Sequence, residues 1–153
     1  MSLKGNRTYN EGVDISYFMN ATGERGGIVL HSTGGSGAAM DDDDAVVAYP
    51  TGQSVSGTSP AGLLLNDVVN YDLTTRHINF HKDETQVGGK VTLLRHGVVV
   101  TNWVSGSPTI GQKAYYLSDG RLTGTDPTNG VQVGRFLSTK DADGYAKVEI
   151  NIV

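Results

Sequence analysis

The stretch that most constrains the fold is Lys90–Val153, in which short β-branched segments alternate with turn-forming residues. Val, Ile, Thr and the aromatic residues suit a pleated, half-buried strand, and clusters of Gly, Asn, Asp, Ser and Pro mark the ends of strands. The pattern therefore predicts strands joined by tight turns. The strand segments are Lys90–Val104, Lys113–Leu117, Gly130–Leu137 and Tyr145–Val153.

Three sequences in this stretch predict chain reversals. Asp119-Gly120 supplies the residues of a two-residue type I′ turn, so we expect a hairpin there. Asn129-Gly130 and the segment Asp141–Gly144 offer the same chemistry. On a strand, the adjacent Tyr115 and Tyr116 must point to opposite faces, one inward and one outward.

Composition agrees with a fold built from strands. Glycine accounts for 21 of the 153 residues, about twice its average share of ~7 %. Abundant glycine between apolar segments favours turns over helices, and only Leu73–Phe80 could form a short helix. The length is that of one domain. We predict a mainly β protein, a small antiparallel β-barrel or sandwich with an extended N-terminal arm.

The first part of the chain is less regular. We expect residues 1–44 to form the N-terminal arm and a glycine- and aspartate-rich loop, and residues 45–153 to form the β domain. In Val13–Met19, a strand would place Val13, Ile15 and Tyr17 on one face. Further strand candidates are Gly26–His31, Ala45–Tyr49 and Ala61–Val69, the last as one buried strand.

Charge and residue content argue against several classes of function. The net charge is −4 without any basic block, which argues against a nucleic-acid partner. The chain has no cysteine, so disulfides and thiolate metal sites are excluded. No apolar stretch reaches the ~18 residues of a transmembrane helix, and Met1–Arg7 lacks the apolar segment of a signal peptide. We expect a soluble protein made without a recognisable secretion signal, with no membrane partner.

The strongest metal-binding pattern is His77 and His81, four residues apart and therefore on one face of a helix or a strand. Asp83 or Glu84 could supply a third ligand, as in a small metal-dependent hydrolase. A general base and an open coordination position have no visible source, so we favour structural or interface histidines. We predict no metal site and no cofactor.

Two other patterns bear on ion binding and catalysis. The run Asp41–Asp44 lacks the alternating ligands and the closing glutamate of a calcium loop, so it reads as a solvated loop. No serine lies in a Gly-x-Ser-x-Gly elbow, and no assembled catalytic group is visible. The sequence therefore favours a protein without enzymatic activity.

From about residue 60 onward the chain contains a series of apolar and glycine-spaced segments, of which the asparagine- and histidine-containing ones are the more distinctive. The segments are Ala61–Val69, Arg76–Glu84, Gln86–Leu94, Gly97–Asn102, Ile110–Leu117, Gly120–Thr123 and Val131–Leu137. Together they resemble the decoration, or cement, proteins of tailed-phage capsids, and the resemblance implies a protein made in the host cytoplasm.

The resemblance implies a structural virion protein on the outer surface of the phage head. Its partners would be the major capsid protein and further copies of itself, with a trimer favoured and a dimer possible. It would stabilise the lattice of capsid subunits. Large apolar side chains of the arm and the segment Arg76–Glu84 would make the contacts. The expected contact residues are Tyr9, Tyr17, Phe18, Met19, Arg76, His77, Phe80 and His81.

Two alternatives stay open. The first is another virion β-domain, such as a head fibre, tail or adhesin domain that binds a receptor or glycan. The second is the metal-dependent hydrolase built on His77 and His81.

Overall fold

The protein is built from β-strands. The computed structural model describes residues 3–4, 12–32, 46–50, 55–70 and 84–153, and these contain no helix. A mainly β fold is thus confirmed. The strands are Leu3–Lys4 (β1), Gly12–Met19 (β2), Ile28–His31 (β3), Val46–Ala48 (β4), Pro60–Leu64 (β5), Asp67–Val69 (β6), Glu84–Gln86 (β7), Lys90–Thr101 (β8), Val104–Ser105 (β9), Lys113–Tyr116 (β10), Leu122–Thr123 (β11), Gly134–Phe136 (β12) and Ala146–Asn151 (β13).

The expected buried strand Ala61–Val69 is divided into β5 and β6. The division falls at Asn66, whose side-chain oxygen accepts a hydrogen bond from the Thr92 amide of β8 at 2.9 Å. The Asn66 amide group also donates to Thr85 of β7. These two bonds redirect the chain from pairing with β8 to pairing with β7. The short helix considered at Leu73–Phe80 lies outside the described residues.

Most of the strands form one sheet that curls on itself. The pairings run β2–β4–β3–β5–β8, and β8 also pairs with β2, so these five strands form a ring. From β8 the sheet continues through β13, β12, β10, β11 and β9, while β1 pairs with the end of β8. The parallel pair β6–β7 forms a second, two-stranded sheet.

The N-terminal strands belong to the large sheet. β2 pairs with β8, and β3 pairs with both β4 and β5. The described strands before and after residue 44 are therefore parts of one sheet, and the division of the chain into an arm and a domain at that residue stays a prediction.

In the 12-residue strand β8, the alternation of inward and outward side chains reverses at Arg95. Opposite it on β2, Val13 pairs with Leu94 and Gly12 pairs with His96, which leaves Arg95 as an extra residue. Such a bulge moves the side chains that follow to the other face of the sheet. Arg95 and His96 are both exposed. The buried positions after the bulge are Gly97, Val99 and Thr101.

Two hydrophobic cores lie against the sheet. The first core extends under the C-terminal strands and includes Tyr116 and Phe136, both fully buried. The second core is formed by side chains of the ring strands and of β6. Its buried members are Met19, Val29, Ala61, Leu64, Val68, Val91 and Leu93.

The central strands β3, β5 and β8 are covered by both cores. Ile28, Leu63 and Leu94 form a row across the three strands and belong to the first core. Their chain neighbours belong to the second core, and all six are at most 2 % exposed. Strands buried on both faces require consecutive apolar residues, which explains the pairs Ile28-Val29, Leu63-Leu64 and Leu93-Leu94.

The reversal at Asp119-Gly120 forms the expected hairpin between β10 and β11, but with a different turn. The Gly120 amide donates to the Leu117 carbonyl at 3.0 Å, and the Leu117 amide donates to that of Arg121 at 2.9 Å. Only Gly120 of the turn has a positive φ, at 81°. A type I′ turn needs positive φ at both central residues, so this is a type I turn with a glycine bulge, and the predicted turn type is wrong.

Gly120 also holds the hairpin against the central strands. Its carbonyl accepts a hydrogen bond from the Ile28 amide at 2.9 Å. A Cβ atom built on Gly120 would lie 2.4 Å from Tyr49 Cδ1 and 2.8 Å from the Ile28 carbonyl oxygen. The turn before β13 has the same positive φ at Gly144, 84°, but a Cβ there would meet nothing within 4 Å.

Replacing Leu94 with alanine is expected to lower the free energy of unfolding by about 2–5 kcal/mol, because it would leave a cavity where the Leu94 side chain of β8 packs in the first core. Chemical denaturation measures the loss. Val98→Ala on the same strand is the control, since Val98 is only half-buried, and it should cost much less. Equal losses would contradict the assignment of Leu94 to the core.

The two glycine turns offer a matched comparison. Gly144→Ala should cost about 1 kcal/mol, the strain of a side chain at positive φ. Gly120→Ala should cost about 1–3 kcal/mol more, because the new methyl group overlaps Tyr49 and the Ile28 carbonyl. Thermal or denaturant unfolding of both variants gives the difference, and equal values would show that the packing of Gly120 against Tyr49 carries no energy.

Candidate functional site

The C-terminal strands present one ordered polar face to solvent. Strand pairing places Lys113 opposite Arg135, Arg135 opposite Glu149, and Glu149 opposite Val98. Paired residues share a face of the sheet, so these side chains form a row across β10, β12, β13 and β8. The next row turns inward and is buried: Ala114, Gly134, Ile150 and Gly97.

Two further pairs extend this surface. On β13, Lys147 and Asn151 lie two residues before and two residues after Glu149. Lys147 is opposite Val100, and Asn151 is opposite His96. We call the surface the outward face and define it by the eight side chains of these rows. They are His96, Val98, Val100, Lys113, Arg135, Lys147, Glu149 and Asn151.

The outward face is basic, although the whole chain is acidic. Between residues 96 and 153, Lys113, Arg135 and Lys147 lie on this face, and Glu149 is the one carboxylate there. The remaining acidic residues of that range lie in turns. They are Asp119, Asp126, Asp141 and Asp143.

Turn geometry accounts for this separation of charge. Asp119 Oδ1 accepts a hydrogen bond from the Arg121 amide at 3.0 Å, and Asp126 Oδ1 accepts one from the Gly130 amide at 2.8 Å. Asp141 Oδ1 accepts from the Tyr145 amide, also at 2.8 Å. Aspartate is favoured in turns because its carboxylate caps backbone N–H groups in this way. The longer cationic side chains Lys113, Arg135 and Lys147 lie instead on strands of the outward face.

A groove of about 470 Å³ opens on the outward face. Within it, Arg135 Nε donates to Glu149 Oε2 at 2.9 Å, and the two side chains are 60 % and 34 % exposed. Gln132 Nε2 donates to the Gly134 carbonyl at 3.0 Å. A Cβ built on Gly134 would lie 1.8 Å from the Glu149 carbonyl oxygen, so β12 and β13 approach too closely there for any side chain. The groove is lined by Gln132, Gly134, Arg135, Glu149 and Asn151.

A second exposed region is strand β2. Val13 and Ile15 are 50 % and 46 % exposed. The prediction that Val13, Ile15 and Tyr17 share one face is wrong, because the pairing register of β2 with β8 shifts between Asp14 and Tyr17. After this irregularity Tyr17 lies opposite Val91 and packs against the second core.

The remaining side chains of β2 divide between surface and core. Phe18 lies opposite Lys90, whose ammonium group is 5.5 Å from the centre of the Phe18 ring. Tyr17 makes an edge-to-face contact with His31, with ring centres 5.2 Å apart. Partial burial lowers the pKa of His31, the positive charge of Arg95 lowers it further, and Asp14 opposes both.

The expected contact residues are therefore distributed as follows. Tyr17 and Phe18 are half-buried on β2, whereas Met19 is fully buried in the second core. Five of them lie outside the described residues: Tyr9, Arg76, His77, Phe80 and His81. Among the residues that are described, no group of three or more His, Cys, Asp or Glu side chains could hold a metal ion.

The basic character of the outward face was not predicted from the sequence. The signal was present locally, because Lys113, Arg135 and Lys147 each stand beside buried residues in an alternating segment. Their meeting on one surface depends on the order and register of β10, β12 and β13, which alternation within one strand does not give. The prediction for the two tyrosines is confirmed: Tyr116 is fully buried and Tyr115 is half-exposed.

Another cluster surrounds Trp103. The Arg121 guanidinium lies 5.6 Å from the Trp103 ring and is ion-paired with Asp119 at 2.8 Å. A smaller groove of about 220 Å³ opens beside them and is also lined by Glu24, Asn102 and Val104. The guanidinium covers the ring, so this cluster ties the β10–β11 turn to the end of β8.

Tyr49 connects this region to the ring of strands. Its hydroxyl accepts a hydrogen bond from the Gly27 amide at 3.2 Å and donates one to the Glu24 carbonyl. Burial raises the pKa of Tyr49 well above its usual range, the hydrogen bond from Gly27 opposes this, and the charges of Glu24 and Asp67 add to it.

Comparison with known proteins identifies the family. A family model described as XM1 gp53 minor capsid protein matches residues 4–152. The chain belongs to the XM1 gp53 minor capsid protein family. The expectation of a structural protein of the phage virion is confirmed at this level. A search of curated proteins finds no match.

No helix long and apolar enough to cross a bilayer occurs in the described part of the chain.

Alkaline pH should destabilise this minor capsid protein through Tyr49. Because its pKa is higher in the folded than in the unfolded chain, its contribution to stability is complete below pH ~10 and is lost as pH rises further. The free energy of unfolding of the wild type, measured by denaturant titration, should fall between pH 8 and 11. That of the Tyr49→Phe variant should fall less steeply over the same range. Equal slopes would contradict a role for the Tyr49 hydroxyl.

Proposed function

We propose that this chain is a capsid decoration, or cement, protein that binds the outer surface of the phage head and stabilises the lattice of major capsid subunits. The observation that carries the proposal is the family match over residues 4–152, which takes in every strand from β2 to β13. The contacts that make it a capsid protein must then come from surfaces of this one strand-built unit.

The mechanism requires binding and no chemical step. A protein that binds the assembled lattice but not the separated subunits stabilises the lattice by mass action. It must itself stay folded while it resists deformation. The doubly covered strands β3, β5 and β8 support this, since close-packed interiors transmit strain with little compression.

Closed symmetry suits such a role. Most soluble homo-oligomers have closed point-group symmetry, and a lattice offers local symmetry axes at which a closed oligomer can bind several subunits alike. We favour a trimer, which the resemblance to decoration proteins implies, with a dimer as the alternative. The major capsid protein and further copies of this chain are the proposed partners.

The N-terminal part and the segment 76–84 are proposed to contribute contacts. Exposed Val13 and Ile15 on β2 support a contact region there, since apolar side chains dominate interface energies. Met19 is left out because it is fully buried in the second core. The proposed contact residues are Tyr9, Tyr17, Phe18, Arg76, His77, Phe80 and His81.

The test uses phage heads prepared without this protein, to which the purified chain is added. We expect saturable binding, density on the outer surface at a fixed lattice position in averaged electron micrographs, and a higher temperature of head disruption. Copies grouped in threes around a local axis would support the trimer.

Three results would contradict the proposal. One is density inside the shell or only at a unique vertex, and another is outer binding that leaves the disruption temperature unchanged. The third is binding to host cells or their glycans in the absence of binding to heads, which would favour a receptor-binding virion domain.

A further inference from the structure

We infer that the outward face of β8, β13, β12 and β10 is a further surface that docks on the capsid, and that its partner is an acidic protein surface. This inference rests on the proposed function and adds the chemistry of the contact. Its basis is the charge of the face, with Lys113, Arg135 and Lys147 set against the single carboxylate of Glu149.

The cations of the face are available for a partner. Lys113 and Arg135 are exposed and Lys147 is half-exposed. Lys113 and Lys147 form no ion pair with any described residue, and Arg135 is paired with Glu149 through its Nε atom. The guanidinium has four further N–H donors, which suit a carboxylate of a partner.

The shape of the face also suits protein docking. The rows of side chains stand on strands whose inward neighbours, such as Val148 and Ile150, are fully buried. Their positions are therefore fixed by the first core. Val98 and Val100 lie on the same face, on the strand next to Lys147, Glu149 and Asn151. A mixture of apolar, amide and cationic side chains is typical of protein interfaces.

A nucleic acid is the less suitable partner. Phosphate backbones are recognised by surfaces that neutralise several phosphates, and each carboxylate on such a surface opposes binding. Here Glu149 stands at the centre of the cross-strand row, between Arg135 and Val98. An acidic protein surface can place its carboxylates beside Lys113 and Lys147 and a neutral or donor group beside Glu149.

The experiment reverses the charge of the face. Lys113→Glu combined with Lys147→Glu should weaken binding to heads by about tenfold or more, and the loss should shrink as salt is raised. The control for the single variant Lys113→Glu is Arg121→Glu. Arg121 is also an exposed cation, but it lies beside Trp103, away from the outward face. Arg121→Glu should leave binding unchanged. A swap variant, Arg135→Glu with Glu149→Arg, keeps the net charge and the ion pair and serves as a folding control.

The outcomes separate the two proposals. If the wild type binds heads and the double variant binds equally well while remaining folded, the docking face is wrong and the decoration role stands. If the wild type does not bind heads, the decoration role fails. The partner of the outward face is then tested by the retention of the protein on immobilised poly-L-glutamate and on duplex DNA. Retention on polyglutamate that is lost in the double variant supports an acidic protein partner. No retention on polyglutamate, or stronger retention on DNA, overturns it.

Discussion

The structure depends on the burial of β3, β5 and β8 on both faces. Ile28, Leu63 and Leu94 enter one core while their chain neighbours enter the other, so the three strands join two cores into one body. A strand covered on one face can slip by one residue only by exposing its apolar side chains. In a strand covered on both faces, the same slip moves each side chain from one core into the other. The register is then fixed by which side-chain sizes fit in each core. The tight approach of Gly62 to Leu93, where a Cβ would lie 2.8 Å from Leu93 Cβ, is one such constraint.

The bulge at Arg95 allows the same strand to serve two different surroundings. Before it, β8 lies in the ring and is covered on both sides; after it, β8 pairs with β13 and presents one face to solvent. Without the extra residue, the alternation set by Leu94 would direct His96 and Val98 inward and Val99 outward. The bulge therefore creates the outward face at the point where the second core ends. Gly97, with a φ of 153°, follows directly and accepts a backbone geometry that side chains disfavour.

Sequence reasoning located most strands of the C-terminal half because their alternation is local. It also recognised the segment Ala61–Val69 as buried, but not its division at Asn66, since that division depends on hydrogen bonds to Thr92 and Thr85. Turn positions were predictable from Asp-Gly pairs, whereas the turn type was not, because the pairing register of β10 and β11 sets the loop length that selects it. The candidate site lay beyond sequence reasoning for a related reason. Lys113, Arg135 and Lys147 are 12 or more residues apart, and only the pairing of β10, β12 and β13 brings them together.

The same pairing explains how an acidic chain acquires a basic surface. Aspartates are drawn to the turns because their carboxylates cap backbone amides, as at Asp119 and Asp141. Lysine and arginine tolerate solvent-facing strand positions, where their stems cover the sheet and their charges reach water. Between residues 96 and 153, the aspartates therefore lie in the turns and Lys113, Arg135 and Lys147 lie on the outward face. For a capsid protein this arrangement has a mechanical consequence. If the outward face docks on the capsid as proposed, the buried sheet behind it holds its charges in place when the lattice is loaded, so the contacts keep their geometry.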